Sequence, residues 1–405
     1  MSDGTSVVAR LGRRLRLGVI GGGAGSFIGS IHRSAAVMDN AYEVVAGILS
    51  SDPGRSHDFA ARIGIAPERA YDTPAAMARA EAERADGIDA VAIMTPNDSH
   101  CALSRVFLEA GCHVVCDKPL SNSLAEALDL TRRVRAGGRL FCLTYNYSGY
   151  PMVRQARAMV RAGLLGDIRL VKGEYVQAAL APRPDHDPAT DRRWRLDPAK
   201  GGPSLVTGDI GTHVHHLLRY VTGREIAALA ADAGSIVAGR SLHDTAQVLL
   251  RLDNGGKGLV WISNAAAGGR HGLMFRIHGE KGALEWRQEE PDELIFTPLD
   301  QPEQRFVRGG AGLLPLAKRG TRVAVGHPEG YIEAFANLYA EFAEAIVAEM
   351  AGASFDPELL TFPTVEDGAL GVQFVHAVID SAGRDGAWVA LDPLDALVES
   401  PPPRT

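Results

Sequence analysis

The chain has 405 residues, which exceeds one ordinary hydrophobic core and implies two domains. Charged residues make up 22% and apolar residues 46%, the balance of a globular protein, and a formal net charge of −7 without a basic stripe excludes nucleic acid as a bulk partner. No run approaches the roughly 18 apolar residues of a membrane span, and no apolar stretch precedes Leu15 to form a signal-peptide core.

Residues 1–14, with Arg10, Arg13 and Arg14, read as a mobile arm. Leu15 to Ile20 has the apolar run of a buried parallel strand, and the next nine residues, Gly21-Gly22-Gly23-Ala24-Gly25-Ser26-Phe27-Ile28-Gly29, lead into a helical pattern through Ile31 and Ala35. Strand, glycine turn and helix are the parts of a dinucleotide-binding fold: the glycines let the backbone approach a pyrophosphate, and amides at the helix start bind its charge. Gly21 and Gly23 fit the spacing; Ser26 stands at the third position and Gly29 follows three residues late, which a longer turn absorbs. Gly21, Gly23, Gly25, Ser26, Phe27 and Ile28 are therefore the expected pyrophosphate contacts.

Alternating elements follow: strand Glu43–Leu49, helix Arg55–Ile63, strand Ile88–Met94, helix Ser99–Glu109, strand His113–Asp117, helix Ser123–Arg135 and strand Arg139–Thr144. Such alternation means right-handed crossovers and a parallel sheet. The second strand ends Leu49-Ser50-Ser51-Asp52-Pro53, without a carboxylate at the position that accepts the adenosine ribose hydroxyls. Two outcomes stay open: Asp52 reaches the ribose of NAD, or Ser50, Ser51 and Arg55 seat the 2′-phosphate of NADP. A third reading has Asp52 simply capping the next helix. Thr95-Pro96-Asn97 and Asp117-Lys118-Pro119 both follow strands at the carboxyl edge, where ligands of such sheets bind. Cys101, Cys112, Cys116 and Cys142 lack Cys-x-x-Cys spacing and read as reduced, buried thiols of a cytoplasmic protein.

Past Tyr145-Asn146-Tyr147 the pattern changes to a helix near Met152–Ala162, a long strand Asp167–Val176 and further strands between Ile226 and Phe296, with the alternation of an open, mainly antiparallel sheet covered on one face by helices. A polar loop from Pro182 to Gly202, containing Trp194 and Arg195, is long enough to cover a site. Asp209-x-x-x-His213 places an acid and a base on one helical face, with His216 three residues further. Zinc is the rival reading there, but no fourth ligand stands out, so no metal is expected. Gly326-His327-Pro328-Glu329-Gly330 forms a polar, stiff loop, and an apolar stripe through Phe335, Leu338, Tyr339, Phe342 and Ile346 reads as ordinary helix packing. A last helix, about Glu366 to Ser381, precedes a tail.

Together the glycine turn, Thr95-Pro96-Asn97-x-x-His100, Asp117-Lys118-Pro119 and Asp209-x-x-x-His213 resemble the Gfo/Idh/MocA oxidoreductases over nearly the whole chain. Asp-Lys-Pro stands where the family usually has Glu-Lys-Pro, and the lysine is kept. His32-Arg33, Tyr147-x-x-Tyr150-Pro151 and the His327 loop resemble inositol dehydrogenases and related sugar dehydrogenases. The resemblance implies an arm (1–14), a Rossmann domain (15–147), a substrate-binding and oligomerisation domain (148–395) and a tail (396–405). It further implies NAD, with NADP still open, Thr95, Pro96, Asn97, His100, Asp117 and Lys118 beside the cofactor, and a homotetramer acting on a small polyol or sugar. Lys118, Asp209 and His213 form the implied catalytic set, with His213 as proton acceptor; Asn146, Tyr147, Arg195 and His327 are candidates for substrate hydroxyls. A keto-sugar reductase would use the same residues in reverse. A non-catalytic dinucleotide-binding regulator would lack the lysine or the histidine, and both are present.

Overall fold

The computed structural model describes residues 7–181 and 193–399. The chain divides into two compact units. The first comprises Met1–Ser121, Ala125–Gly149 and Tyr331–Gly368. Its strands β1 (Leu15–Gly21), β2 (Tyr42–Ile48), β3 (Ala90–Met94), β4 (His113–Cys116) and β5 (Phe141–Leu143) form a parallel sheet in the order β2-β1-β3-β4-β5. Every residue of β3 and β4 is buried, His113 being the polar member, as strands require when helices cover both faces of a sheet. The order reverses between β1 and β3, where Gly21 pairs with Met94, so the switch-point crevice opens at the glycine turn and the Thr95 turn.

The stripe on helix Tyr331–Met350 finds its partner in this unit. Phe335, Leu338, Tyr339, Phe342 and Ile346 join Leu15, Leu17, Ala35, Ala36 and Tyr42 in one core. Each large apolar side chain contributes about 1.5–3 kcal/mol by leaving water. A boundary at 147/148 had put this helix in the second domain; the chain instead returns to the first unit for residues 331–368. The expected arm also differs: Val7–Leu11 is helical, Val7 enters the same core, and Arg13 Nη1 donates to Asp89 Oδ2 at 2.7 Å.

The second unit comprises Asn122–Leu124, Tyr150–Gly330 and Ala369–Thr405. Its nine strands are β6 (Ile168–Val176), β7 (Ile226–Gly234), β8 (Thr245–Leu252), β9 (Lys257–Ser263), β10 (Met274–Gly279), β11 (Gly282–Arg287), β12 (Glu293–Pro298), β13 (Gln304–Val307) and β14 (Val389–Ala390). They run β13-β12-β11-β10-β6-β9-β8-β7-β14, and β6–β9 is the parallel pair in an otherwise antiparallel ladder. Helix Thr212–Thr222 packs on one face, where Gly173 of β6 makes room: a side chain there would strike Val214. The opposite face exposes Leu170, Leu249 and Trp261, each more than two-fifths accessible, among Lys172, Glu174, Arg276 and Glu285.

Of the loop expected from Pro182 to Gly202, residues 182–192 lie outside the described residues; beyond them the chain forms short helices Arg193–Leu196 and Pro198–Gly201, the second capped by Asp197 Oδ1 accepting from the Ala199 amide at 3.0 Å. The tail expected from 396 begins instead as helix Leu394–Glu399, and the Pro401–Pro403 stretch lies outside the described residues. Among the described residues no helix is long and apolar enough to cross a membrane.

Candidate active site

The glycine turn is built from backbone meeting backbone. A Cβ on Gly23 would lie 2.0 Å from the Leu49 carbonyl oxygen, and one on Gly29 would lie 2.1 Å from that of Gly22. Gly29 thus holds the helix against the strand, the duty of the third glycine in the fingerprint. Sequence spacing understated this residue and Gly22; the signal was a glycine on the first turn of the helix. Gly25 differs: its φ is +78° and nothing lies within 4 Å of where a Cβ would be, so it turns the chain and leaves open space. Ser26 caps helix Phe27–Met38, its Oγ accepting from the Gly29 amide at 3.1 Å. Arg33 braces the turn by donating Nη1 to the Gly22 carbonyl at 2.5 Å while lying over the Phe59 ring. His32 is a core residue, with Nδ1 2.7 Å from the Tyr339 hydroxyl, and burial pushes its pKa down to about 4.

At the end of β2, Asp52 caps helix Pro53–Arg62: its Oδ1 accepts from the Arg55 amide at 2.8 Å, and the Arg55 guanidinium lies 3.8 Å away. Ser50 Oγ accepts from the Asp52 amide at 3.1 Å. Ser51, Asp52 and Arg55 are exposed, so capping occupies one carboxylate oxygen without removing the group from solvent.

Two turns stand at the carboxyl ends of the adjacent strands β3 and β4. In the first, Thr95 Oγ1 lies 2.6 Å from Ser99 Oγ, which donates to the Pro96 carbonyl, and Asn97 is buried. In the second, the Asp117 carboxylate accepts from the Lys118 amide at 2.9 Å and from Thr144 Oγ1 at 3.0 Å. Asp117 therefore sets the backbone of Lys118, whose side chain is partly buried. The ring of His100, a residue expected beside the cofactor, is fully buried, with Nδ1 2.8 Å from the Pro119 carbonyl oxygen and Nε2 2.9 Å from that of Thr95. Each ring nitrogen faces a backbone carbonyl oxygen. Following β5, Asn146 and Tyr147 sit in a buried 3₁₀ turn; Tyr147 stacks edge-on to Tyr331, and Asn146 buries both amide atoms with no hydrogen-bond partner among the described residues. Each such orphan costs about 1–3 kcal/mol unless something bonds it.

In the second unit, Asp209 lies in a π-helical turn, Thr207–Gly211, that runs straight into helix Thr212–Thr222 carrying His213. Regular α-helical spacing did not foretell this widened turn, a form frequent at functional sites. Thr212 Oγ1 closes it onto the Gly208 carbonyl at 3.0 Å. Arg195 Nη1 comes within 3.9 Å of Asp209 Oδ2, joining two residues that the sequence had named separately. Both are partly exposed, so the pair contributes at most about 1 kcal/mol. His213 is buried with its ring tilted against Tyr175. His215 stacks on Phe374 and burial pushes it well below the usual histidine range; His216 packs against Tyr220. Among the described residues no group of three or more His, Cys, Asp or Glu side chains is placed to hold a metal ion. His327 is exposed on a loop tied down beneath it: the buried Arg308 guanidinium donates to the His327 carbonyl and, at 2.8 Å each, to Asp292 and Glu329.

A parallel sheet with a glycine turn at its switch point defines the first unit as a Rossmann fold of the NAD-binding class. Residues 15–145 match the oxidoreductase family with an NAD-binding Rossmann fold, and residues 153–285 match the GFO/IDH/MocA C-terminal domain. The chain belongs to the Gfo/Idh/MocA oxidoreductase family. It is 35% identical to the uncharacterized oxidoreductase YfiI of Bacillus subtilis, over 96% of this chain and 99% of that one. An inositol dehydrogenase homologue from Azotobacter vinelandii has been solved with NAD+ (40% identity, 96% of this chain and 100% of that one, TM-score 0.90). The same organism's homologue with NADH and myo-inositol gives 39% identity, 94% and 99% coverage, and a TM-score of 0.87. Levoglucosan dehydrogenase of Pseudarthrobacter phenanthrenivorans is 26% identical over 95% of this chain and 100% of that one.

Proposed function

We propose that this protein oxidises a secondary hydroxyl of a cyclitol or pyranose sugar, with NAD as the preferred acceptor. The carrying observation is Lys118, presented at the carboxyl end of β4 on a backbone that Asp117 anchors. The residues around the glycine turn fit the cofactor: Gly21, Gly23 and Gly29 have no room for a side chain, Gly25 leaves the space beside it open, and the amides opening helix Phe27–Met38 suit a pyrophosphate. NAD bound there supplies the hydride acceptor.

The chain's own residues supply the proton chemistry. His213 takes the hydroxyl proton, the task for which an imidazole is suited near neutral pH. The Lys118 ammonium hydrogen-bonds the same oxygen and stabilises its growing negative charge. Asp209 accepts from a neighbouring hydroxyl and biases His213 toward taking the proton, while Arg195 holds that carboxylate from the other side. Asn146 offers one donor group and one acceptor, the complement of a hydroxyl, and Tyr147 and His327 extend the polar contacts. The A. vinelandii homologue bound to myo-inositol and levoglucosan dehydrogenase support a polyol or sugar as substrate. A homotetramer in the cytoplasm completes the proposal, since a second copy would cover the apolar part of the sheet face bearing Leu170, Leu249 and Trp261.

The test is a screen of cyclitols and sugars with NAD and with NADP, following absorbance of the reduced nicotinamide. Turnover of at least one polyol with NAD is expected. Failure of every cyclitol and sugar with both cofactors sinks the proposal, and NADP favoured tenfold or more reverses the cofactor choice.

A further inference from the structure

His100 is the first residue of helix His100–Glu109 and belongs to neither turn at the sheet edge, yet it touches both. Its ring lies between the Pro119 carbonyl, 2.8 Å from Nδ1, and the Thr95 carbonyl, 2.9 Å from Nε2, and it is wholly buried. The strands feeding the two turns are already joined, Ile93 pairing with Cys116 and the Asp117 amide donating to the Ile93 carbonyl at 2.9 Å. Beyond that last rung, β3 and β4 part, and the chain paths separate toward Asn97 and toward Lys118. Asp117 holds the amide side of Lys118. The His100 ring takes hold just past it, on the carbonyl of Pro119.

We infer that His100 is a positioning residue that couples the cofactor-side turn, Thr95–Asn97, to the turn that presents Lys118. The inference rests on the dehydrogenase reading above, because Lys118 and the Thr95 turn have their roles there. Both carbonyls only accept, so the ring holds the two turns at once in its doubly protonated form, each N–H bonding one carbonyl, and the two links can be lost separately. An asparagine amide nitrogen falls near the position of Nδ1, and a glutamine amide nitrogen near that of Nε2. His100→Asn therefore keeps the Pro119 link and drops the Thr95 link; His100→Gln does the reverse.

Displacing a reacting group by about 1 Å costs up to roughly 10²-fold in rate. In His100→Gln the larger loss is expected in kcat, as Lys118 drifts. In His100→Asn it is expected in NAD affinity, as the Thr95 turn drifts. The ratio of kcat loss to NAD-affinity loss should differ between the variants by at least about tenfold. The measurements are steady-state kinetics with the best polyol from the screen, calorimetric titration with NAD, and thermal melting. A shared loss of melting temperature with equal kinetic ratios in both variants overturns the inference and leaves His100 a core residue, and so does the absence of any kinetic change. Should either variant fail to fold, crystals of the wild-type protein decide the matter: a ring nitrogen farther than about 3.5 Å from either carbonyl overturns it, and both within that range uphold it. Lys118→Ala is run alongside. Full activity there removes the dehydrogenase reading itself, whereas an inactive Lys118→Ala with matched His100 variants removes only the coupling role.

Discussion

Gly23→Ala tests whether the glycine turn is a cofactor cradle pressed against β2. The added methyl would lie 2.0 Å from the Leu49 carbonyl oxygen and 3.1 Å from its carbon, whereas ordinary contacts begin at 3.4 Å. The obstacle is backbone, so no side-chain rotation relieves it, and the turn must move away from the end of β2 by more than an ångström. Overpacking of this kind costs about 1–3 kcal/mol. Because the displaced segment carries the amides assigned to the pyrophosphate, NAD affinity should fall by roughly tenfold or more, each 1.4 kcal/mol being a factor of ten. Gly25→Ala separates strain from clash in the stability measurement: its methyl meets nothing within 4 Å, and the strain is confined to a φ of +78°, costing about 1–2 kcal/mol. Urea unfolding gives the stability change and calorimetry with NAD the affinity. Gly23→Ala within about 0.5 kcal/mol of wild type and with unchanged NAD binding would refute the close approach.

Lys118→Ala should retain the fold and NAD affinity while turnover drops roughly 10²–10⁴-fold, read by stopped assays with the best polyol; near-wild-type turnover contradicts its role. His327→Ala should raise the Michaelis constant about 5–150-fold, the loss of one hydrogen bond of roughly 1–3 kcal/mol, with NAD affinity kept; unaltered kinetics make it a surface residue. Light scattering should give a mass near four chains, and a value near the 43.1 kDa of one chain contradicts the assembly. Burial pushes both His32 and His113 down to about 4, so the folded protein resists protonation that the unfolded chain accepts from about 6.5. Stability should therefore hold above about pH 6.5 and fall as pH drops toward 4, by about 3 kcal/mol per histidine; a flat urea midpoint between pH 7 and 4.5 would contradict this.

Much of the fold was legible because its signals are local. The run Ala90–Met94 is apolar throughout and His113–Cys116 is apolar after its first residue, and only strands covered on both faces tolerate that, so the parallel sheet follows from the residues themselves. The residue types at Lys118, Asp209 and His213 were equally plain, since chemistry restricts which side chains move protons. Asp52 shows the limit of such reading: the same carboxylate serves as helix cap or ribose contact, and the sequence left both open.

Other features depend on what the chain meets after long excursions. Periodicity in Tyr331–Met350 says that one face is buried but not against what, and folding brought that face to Leu15, Ala35 and Tyr42, some three hundred residues earlier in the chain. The duty of Gly29 depends on the length of the turn that swings it onto Gly22, and the π turn at Asp209 depends on packing that spacing rules do not encode. His100 is the clearest case. Its partners are two backbone carbonyls, five residues before it and nineteen after, and because every residue has a carbonyl, no side-chain pattern could mark them. The sequence by itself marked the residue types suited to the proposed chemistry; only the tertiary structure decided which backbone groups hold them in place, because such contacts are specified by geometry and not by residue type.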